Sequence, residues 1–112
     1  MISTMNQWSE ISPDPLTVEA IRERHTPQSH YRISPNRYAS GTFFIGSSRA
    51  GRIYVLSGSC SKNVGAWSVT LGPGAFADFP AGDFTFQVLG DQEVQLVNVW
   101  SIPEPYRAKG DA

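Results

Sequence analysis

The pattern of apolar and polar positions changes character near residue 31. From there on, short runs of β-branched and aromatic residues alternate with clusters of Gly, Ser, Asn and Pro. GTFFIG (41–46), RIYVLSG (52–58), AWSVTL (66–71), DFTFQVL (83–89) and EVQLVNVW (93–100) have strand composition, since such side chains pack well on a pleated surface. SSRAG, SKNVG, GPG, PAG and GD between them are turn compositions. Ser34, Pro35, Asn36 and Arg37 spell a type I turn. Five or more short strands joined by tight turns predict a small all-β sandwich or barrel.

The last two strands carry more information. Alternation puts Phe84, Phe86 and Val88 on one face and Thr85 and Gln87 on the other. In the next strand Val94, Leu96, Asn98 and Trp100 oppose Gln95, Val97 and Val99. Neither strand has one clean polar face, so something must cover both sides. An opposite sheet would cover the inside. The N-terminal segment or a second subunit would cover the outside.

Residues 1–30 differ from the rest and form an arm. SPDP (12–15) is a turn or extended piece, because each proline fixes its own φ and restricts the residue before it. Residues 16–24 (LTVEAIRER) fit two turns of helix with Thr17 as N-cap; an extended arm is the alternative. A full capping box is not met, because Ala20 stands three residues on. Residues 31–102 form the barrel, and residues 103–112, polar with two prolines nearby, leave the sheet as a tail.

Composition narrows the partners. The 112 residues carry a net charge of −1 with no long run of either sign, which argues against nucleic acid or an anionic membrane. Cys60 is the single cysteine, so an intrachain disulfide and a Cys-based zinc site are both excluded. The first fifteen residues lack the basic start and apolar stretch of a secretory signal, and no apolar run reaches bilayer length. A cytoplasmic location is expected.

The stretch GPGAFADFPAGDFTF (72–86) places Gly74, Pro80 and Gly82 at the spacing of the second cupin motif, and GRIYVLSG resembles the strand closing the first motif at Gly58. Residues 38–102 thus resemble a small single-domain cupin, which implies an all-β jelly-roll barrel. In that family a histidine would stand at Thr85 and an asparagine at Leu89. The first motif would put a glutamate at Gly51 and two histidines at Ser47 and Arg49; shifted registers give Ile45 and Ser47, or Phe44 and Gly46. None of these supplies an imidazole or a carboxylate, the donors that a first-row metal requires. No metal and no other cofactor are expected, and metal-dependent oxygenase or isomerase chemistry is not expected either.

The remaining candidates divide into pocket and catalytic residues. Ser47 and Arg49 would suit a carboxylate or phosphate, although SSRAG also fits a solvated hairpin turn. The family's inward register would face Thr85 and Gln87 into the barrel, with Tyr54, Trp67 and Trp100 as walls, against the plainer reading of these aromatics as core. His25 and His30 lie in the arm; loop residues are the simplest reading, with an acid/base over the barrel mouth as the sharper one. Cys60 is read as a buried thiol, with Lys62 too weak a support for a nucleophile. Asp78 and Asp83 flank the PAG turn as solvated carboxylates.

These residues imply a metal-free cupin-like barrel that binds a small organic ligand, non-catalytic or sensing. A homodimer is expected, with the Phe84, Phe86 and Val88 face or the arm involved in covering the sheet. The alternative is a metal-independent isomerase, epimerase or cyclase on a sugar or polyketide-like substrate. That alternative needs His25 or His30 to reach the mouth and meet Asp78, Asp83 or a tyrosine. A third reading is a purely structural subunit whose barrel is filled by its own side chains.

Overall fold

In the computed structural model, which describes residues 5–103, two antiparallel sheets face each other across one core. The strands are β1 (Asn6–Gln7), β2 (Tyr31–Tyr38), β3 (Phe43–Ser48), β4 (Gly51–Ser57), β5 (Ser59–Val64), β6 (Trp67–Leu71), β7 (Ala75–Phe79), β8 (Gly82–Leu89) and β9 (Val94–Ser101). One sheet has the order β1-β7-β4-β9-β2 and the other β3-β8-β5-β6. This crossing of chain order between two sheets is the jelly-roll solution to closing an antiparallel structure.

All five predicted strands are present, and four more join them. β2 passes through the stretch expected to be a type I turn: Ser34 pairs with Asn98, Pro35 with Val97 and Asn36 with Leu96. Proline is tolerated there because β2 lies at the edge of its sheet, where one row of backbone groups has no ladder partner. β5 replaces the expected SKNVG turn, and β7 occupies the stretch between Gly74 and Pro80.

The inner core is built by alternation. Ile53 and Val55 of β4, Ala75, Ala77 and Phe79 of β7, and Val94 and Leu96 of β9 meet Cys60, Val69, Leu71, Phe86 and Val88 from the opposite sheet. The Phe84, Phe86 and Val88 face therefore lies inside the sandwich; it is covered by neither the arm nor a partner. Gly58 turns the chain between β4 and β5 with φ +77°, and a Cβ there would collide with the Glu93 carbonyl oxygen. The turn demands glycine.

The outer face of the five-stranded sheet is also apolar, and the arm covers it. Trp8 and Ile21 pack with Tyr54, Phe76, Val97 and Val99 in a second buried cluster. The helix α1 (Val18–Arg24) forms as expected, with the Thr17 hydroxyl accepting from the Ala20 N–H at 3.1 Å. Its buried residue is Ile21. The Trp8 indole N–H donates to the Asp14 carbonyl at 2.8 Å, the Trp8 backbone N–H donates to the Gly74 carbonyl at 2.8 Å, and its ring meets Tyr54 edge-on. The segment divided from the barrel at residue 30 by composition thus contributes a strand and half of a core. Among the described residues no helix is long and apolar enough to cross a membrane.

Two substitutions test this seam. Trp8→Ala is expected to cost about 3–5 kcal/mol, and Thr17→Ala about 1 kcal/mol, by urea unfolding. An arm laid passively on the barrel would leave the first variant near wild-type stability.

Candidate functional site

Between the sheets, toward the end where β3 turns into β4, the core leaves a cavity of about 270 Å³. Its apolar walls include Tyr38, Phe44, Phe84, Phe86 and Leu96, and its polar lining includes Ser34, Asn36, Lys62, Asn98 and Trp100. Alternation explains each polar group. On β2 the odd-numbered Tyr31 and Ile33 pack outward under the arm, which sends Ser34 and Asn36 inward. On β9 the same rule sends Val97 and Val99 outward, and Asn98 and Trp100 inward.

Lys62 is the unusual member. On β5 the inward positions are Cys60, Lys62 and Val64, all buried, and Lys62 is only 4% exposed. Its Nζ lies 3.5 Å from the Phe79 ring centroid and 4.3 Å from that of Phe84. Among the described residues no ion pair or hydrogen bond engages it. The aromatic faces offset part of the desolvation cost through cation–π attraction. Burial still pushes its pKa down to about 8, with Cys60 acting in the opposite sense. Burial pushes the Cys60 thiol up to about 12, with Lys62 lowering it; a neutral buried thiol is no nucleophile.

Two residues of the cavity lining also carry a buried polar atom that no protein group satisfies. Asn98 Oδ1 and Trp100 Nε1 are buried without a hydrogen-bond partner. Each such group costs about 1–3 kcal/mol if nothing satisfies it. The Trp100 indole is seated by Gly51, where a Cβ would come 2.7 Å from Trp100 Cδ1 and 2.9 Å from Phe79 Cζ.

The structure distributes the sequence candidates unevenly. Ser47 and Trp100 line the cavity. Arg49 lies at its mouth, where it and Arg32 border a shallow hollow that shares Ser34, Ser48 and Trp100 with the cavity. Tyr54 does not line it: the ring is fully buried on the outer face of the five-stranded sheet, beneath Trp8. Trp67 packs against the inner core without reaching the cavity. Thr85 and Gln87 also fall outside it; Thr85 accepts from Asn63 Nδ2 at 3.2 Å on the outward side of β8, and Gln87 is exposed. The motif count placed Thr85 inward, but a one-residue difference in strand register exchanges the faces, and Phe84 and Phe86 hold the inward positions. Lys62 enters the sequence reading only as a neighbour of Cys60, because SKNVG has turn composition. Its signal was the period-two spacing of Cys60, Lys62 and Val64.

His25 does meet a tyrosine and stands near Asp78, but outside the barrel. Tyr54 Oη lies 2.9 Å from His25 Nε2 and accepts from Arg52 Nη1 at 3.3 Å; Arg52 in turn grips Asp78 with Nε–Oδ1 at 2.6 Å and Nη2–Oδ2 at 3.2 Å. Burial, then Arg52 and Arg24, lower the His25 pKa, while Asp78 raises it. The His25 imidazole and the Tyr54 hydroxyl share one hydrogen bond, and the chain of bonds fastens the C-terminus of α1 to β4 and β7. His30 lies in the short turn before β2 and lines no part of the cavity.

The cavity chemistry does not fit a metal. Of the positions aligned with cupin ligands, Gly51 makes room for an indole, Arg49 is a permanent cation and Thr85 faces outward. Among the described residues no group of three or more His, Cys, Asp or Glu side chains converges. The cavity offers a cation, an indole N–H and carboxamides, which are donors and acceptors for an organic molecule.

The stranded cation sets a testable stability profile. The folded-state pKa of about 8 lies below the ordinary 10.5. The folded chain therefore releases its proton first, and stability rises with pH between those values. Cys60 and Tyr38, the titratable neighbours, both have raised pKa values and stay neutral at the lower end of that window. Lys62→Met is expected to be more stable than wild type at pH 7 by about 1–3 kcal/mol, with the gap closing by pH 10 in urea unfolding. A less stable variant at pH 7 would show that the ammonium has a partner.

No family model and no curated protein matches the sequence. Solved structures do match the fold. The chain is similar to the Cupin_2 domain of an XRE family transcriptional regulator from Enterobacter cloacae, with a TM-score of 0.60 and 14% identity over 67% of this chain and 84% of that one. It is similar to the Cnp3 cupin domain of Schizosaccharomyces pombe, with a TM-score of 0.59 and 13% identity over 70% of this chain and 56% of that one. The DMSP lyase DddQ of Ruegeria pomeroyi gives a TM-score of 0.57 and 15% identity over 71% of this chain and 42% of that one. Identities this low speak to architecture alone, and the architecture shared with these structures is the one its two antiparallel sheets build: the chain is a small cupin-fold domain.

Proposed function

We propose that this protein is a metal-free cupin-fold receptor that binds a small organic ligand between its sheets and acts by binding rather than catalysis. The observation carrying this reading is the cavity itself, open and lined by Lys62, Asn98 and Trp100, of which Asn98 Oδ1 and Trp100 Nε1 are buried without a hydrogen-bond partner. Buried polar groups left unpaired destabilise a fold, and a ligand that pairs them recovers that loss on binding. An open cavity favours a ligand over a purely structural barrel. The isomerase, epimerase or cyclase alternative needed a histidine at the mouth, and His25 is committed to Tyr54 on the other side of the sheet. The similar structures include a domain of a transcriptional regulator and a lyase, so the fold alone does not choose. The choice rests on the lining.

A second copy of the chain is the proposed protein partner. β3 is an edge strand with unpaired backbone groups, and its outward Phe43 and Ile45 are 57% and 72% exposed. Pairing of β3 with its own symmetry mate would cover both features. A single buried thiol suits the reducing cytoplasm, where we place the protein.

Native mass spectrometry of freshly purified protein should show a small mass increment that disappears on denaturation. Ser34→Leu, which fills the lining, should lose it. Equal native and denatured masses for wild type would sink the receptor reading. Ile45→Lys should convert a dimer to a monomer in sedimentation velocity; a wild type that sediments as a monomer would dispose of the β3 interface.

A further inference from the structure

We infer that the ligand is a small organic acid whose carboxylate is held by Lys62 and the Trp100 indole N–H. This rests on the receptor reading above and names the chemistry of that same cavity. Three independent features point to negative charge. The first is the buried ammonium, which faces aromatic rings and, among the described residues, no counter-ion. A cation in such surroundings is costly to keep unless an anion joins it. The second is Trp100 Nε1, which can only donate and which has nothing to donate to. A carboxylate has two oxygens and about four lone-pair sites, enough to accept from both groups at once.

The third feature lies at the entrance. Arg32 and Arg49 border the hollow that leads to the cavity, and no ion pair engages either among the described residues. Asp83, the ladder partner of Ser47, is an exposed carboxylate on the same face as Ser47 and offsets only one of these two charges. The mouth is therefore positive and the interior holds one more positive charge. Such an arrangement gathers anions and raises their association rate. A neutral ligand would draw on none of this.

Size and polarity limit the acid further. A cavity of about 270 Å³ is the space of roughly nine water molecules. Phe44, Phe84, Phe86 and Leu96 supply an apolar pocket for the body of the molecule. Asn98 Oδ1 would accept from a hydroxyl or amide on it. The acid is thus compact, with a short branched or single-ring body. A phosphate ester of a sugar would bring many hydroxyls against aromatic walls and matches this lining poorly.

The test compares acids with their neutral isosteres by isothermal calorimetry: benzoate against benzamide, and 2-methylpropanoate against 2-methylpropanamide. At least one acid should bind about thirtyfold or more tightly than its amide. Lys62→Met should erase that preference while keeping the fold. Trp100→Phe, which removes the N–H and keeps the ring, should weaken the acid about tenfold. The pair Arg32→Gln and Arg49→Gln should slow association and flatten its salt dependence, with dissociation little changed. Amides binding as well as acids would overturn the organic-acid inference and leave the receptor reading standing. Binding of none of the four probes would also overturn it, and the native mass measurement then decides the receptor reading alone.

Discussion

The central strands of the five-stranded sheet are apolar on both faces, and this obliges the chain to supply two covers. β4 presents Ile53 and Val55 to one side and Tyr54 to the other; β9 presents Leu96 inward and Val97 and Val99 outward. The four-stranded sheet covers the first side. The arm covers the second with Trp8 and Ile21, pinned by β1 pairing with β7 and by the His25, Tyr54, Arg52 and Asp78 bonds. A small chain has little apolar surface to spare. Spending two covers on one sheet leaves the outward face of the other bare, where Phe43 and Ile45 meet solvent.

Within that sandwich the cavity end is where polar residues enter the inward register. Ser34, Asn36, Asn98 and Lys62 occupy positions that hydrophobic residues hold elsewhere on the same strands. A fold optimised for stability alone would fill them with Leu and Val. Local polarity that weakens a core is the ordinary mark of a functional site. Lys62 carries the argument because its charge is the most costly of these to bury.

Much of the fold was legible. GTFFIG, RIYVLSG, AWSVTL, DFTFQVL and EVQLVNVW announce their strands by β-branched and aromatic content, and Thr17 announces the helix start. β2 and β5 were hidden because turn formers (Pro35 and Asn36, then Ser61 and Asn63) sit in strands whose pairing is decided by neighbours distant in sequence. Tertiary pairing overrode local composition. The site was less legible than the fold. Glycines and prolines mark where a strand begins to within a residue or so, but a residue's inward or outward face changes with a single step. That is why the motif count puts Thr85 inside where Phe84 and Phe86 stand, and why Lys62, in a stretch of turn composition, is not among the pocket candidates although it lines the cavity with Ser47 and Trp100.

Gly51 has a consequence for what this end of the sandwich can hold. Its missing side chain is the niche into which the Trp100 indole fits, and any Cβ there would press on Trp100, Phe79 and the Val99 carbonyl at once. A carboxylate could not be introduced at position 51 by a single substitution, because the indole would first have to shrink or turn away. Position 51 is therefore closed to every side chain for as long as Trp100 and Phe79 keep their places, and that end of the sandwich is shaped by an absence as much as by the rings around it.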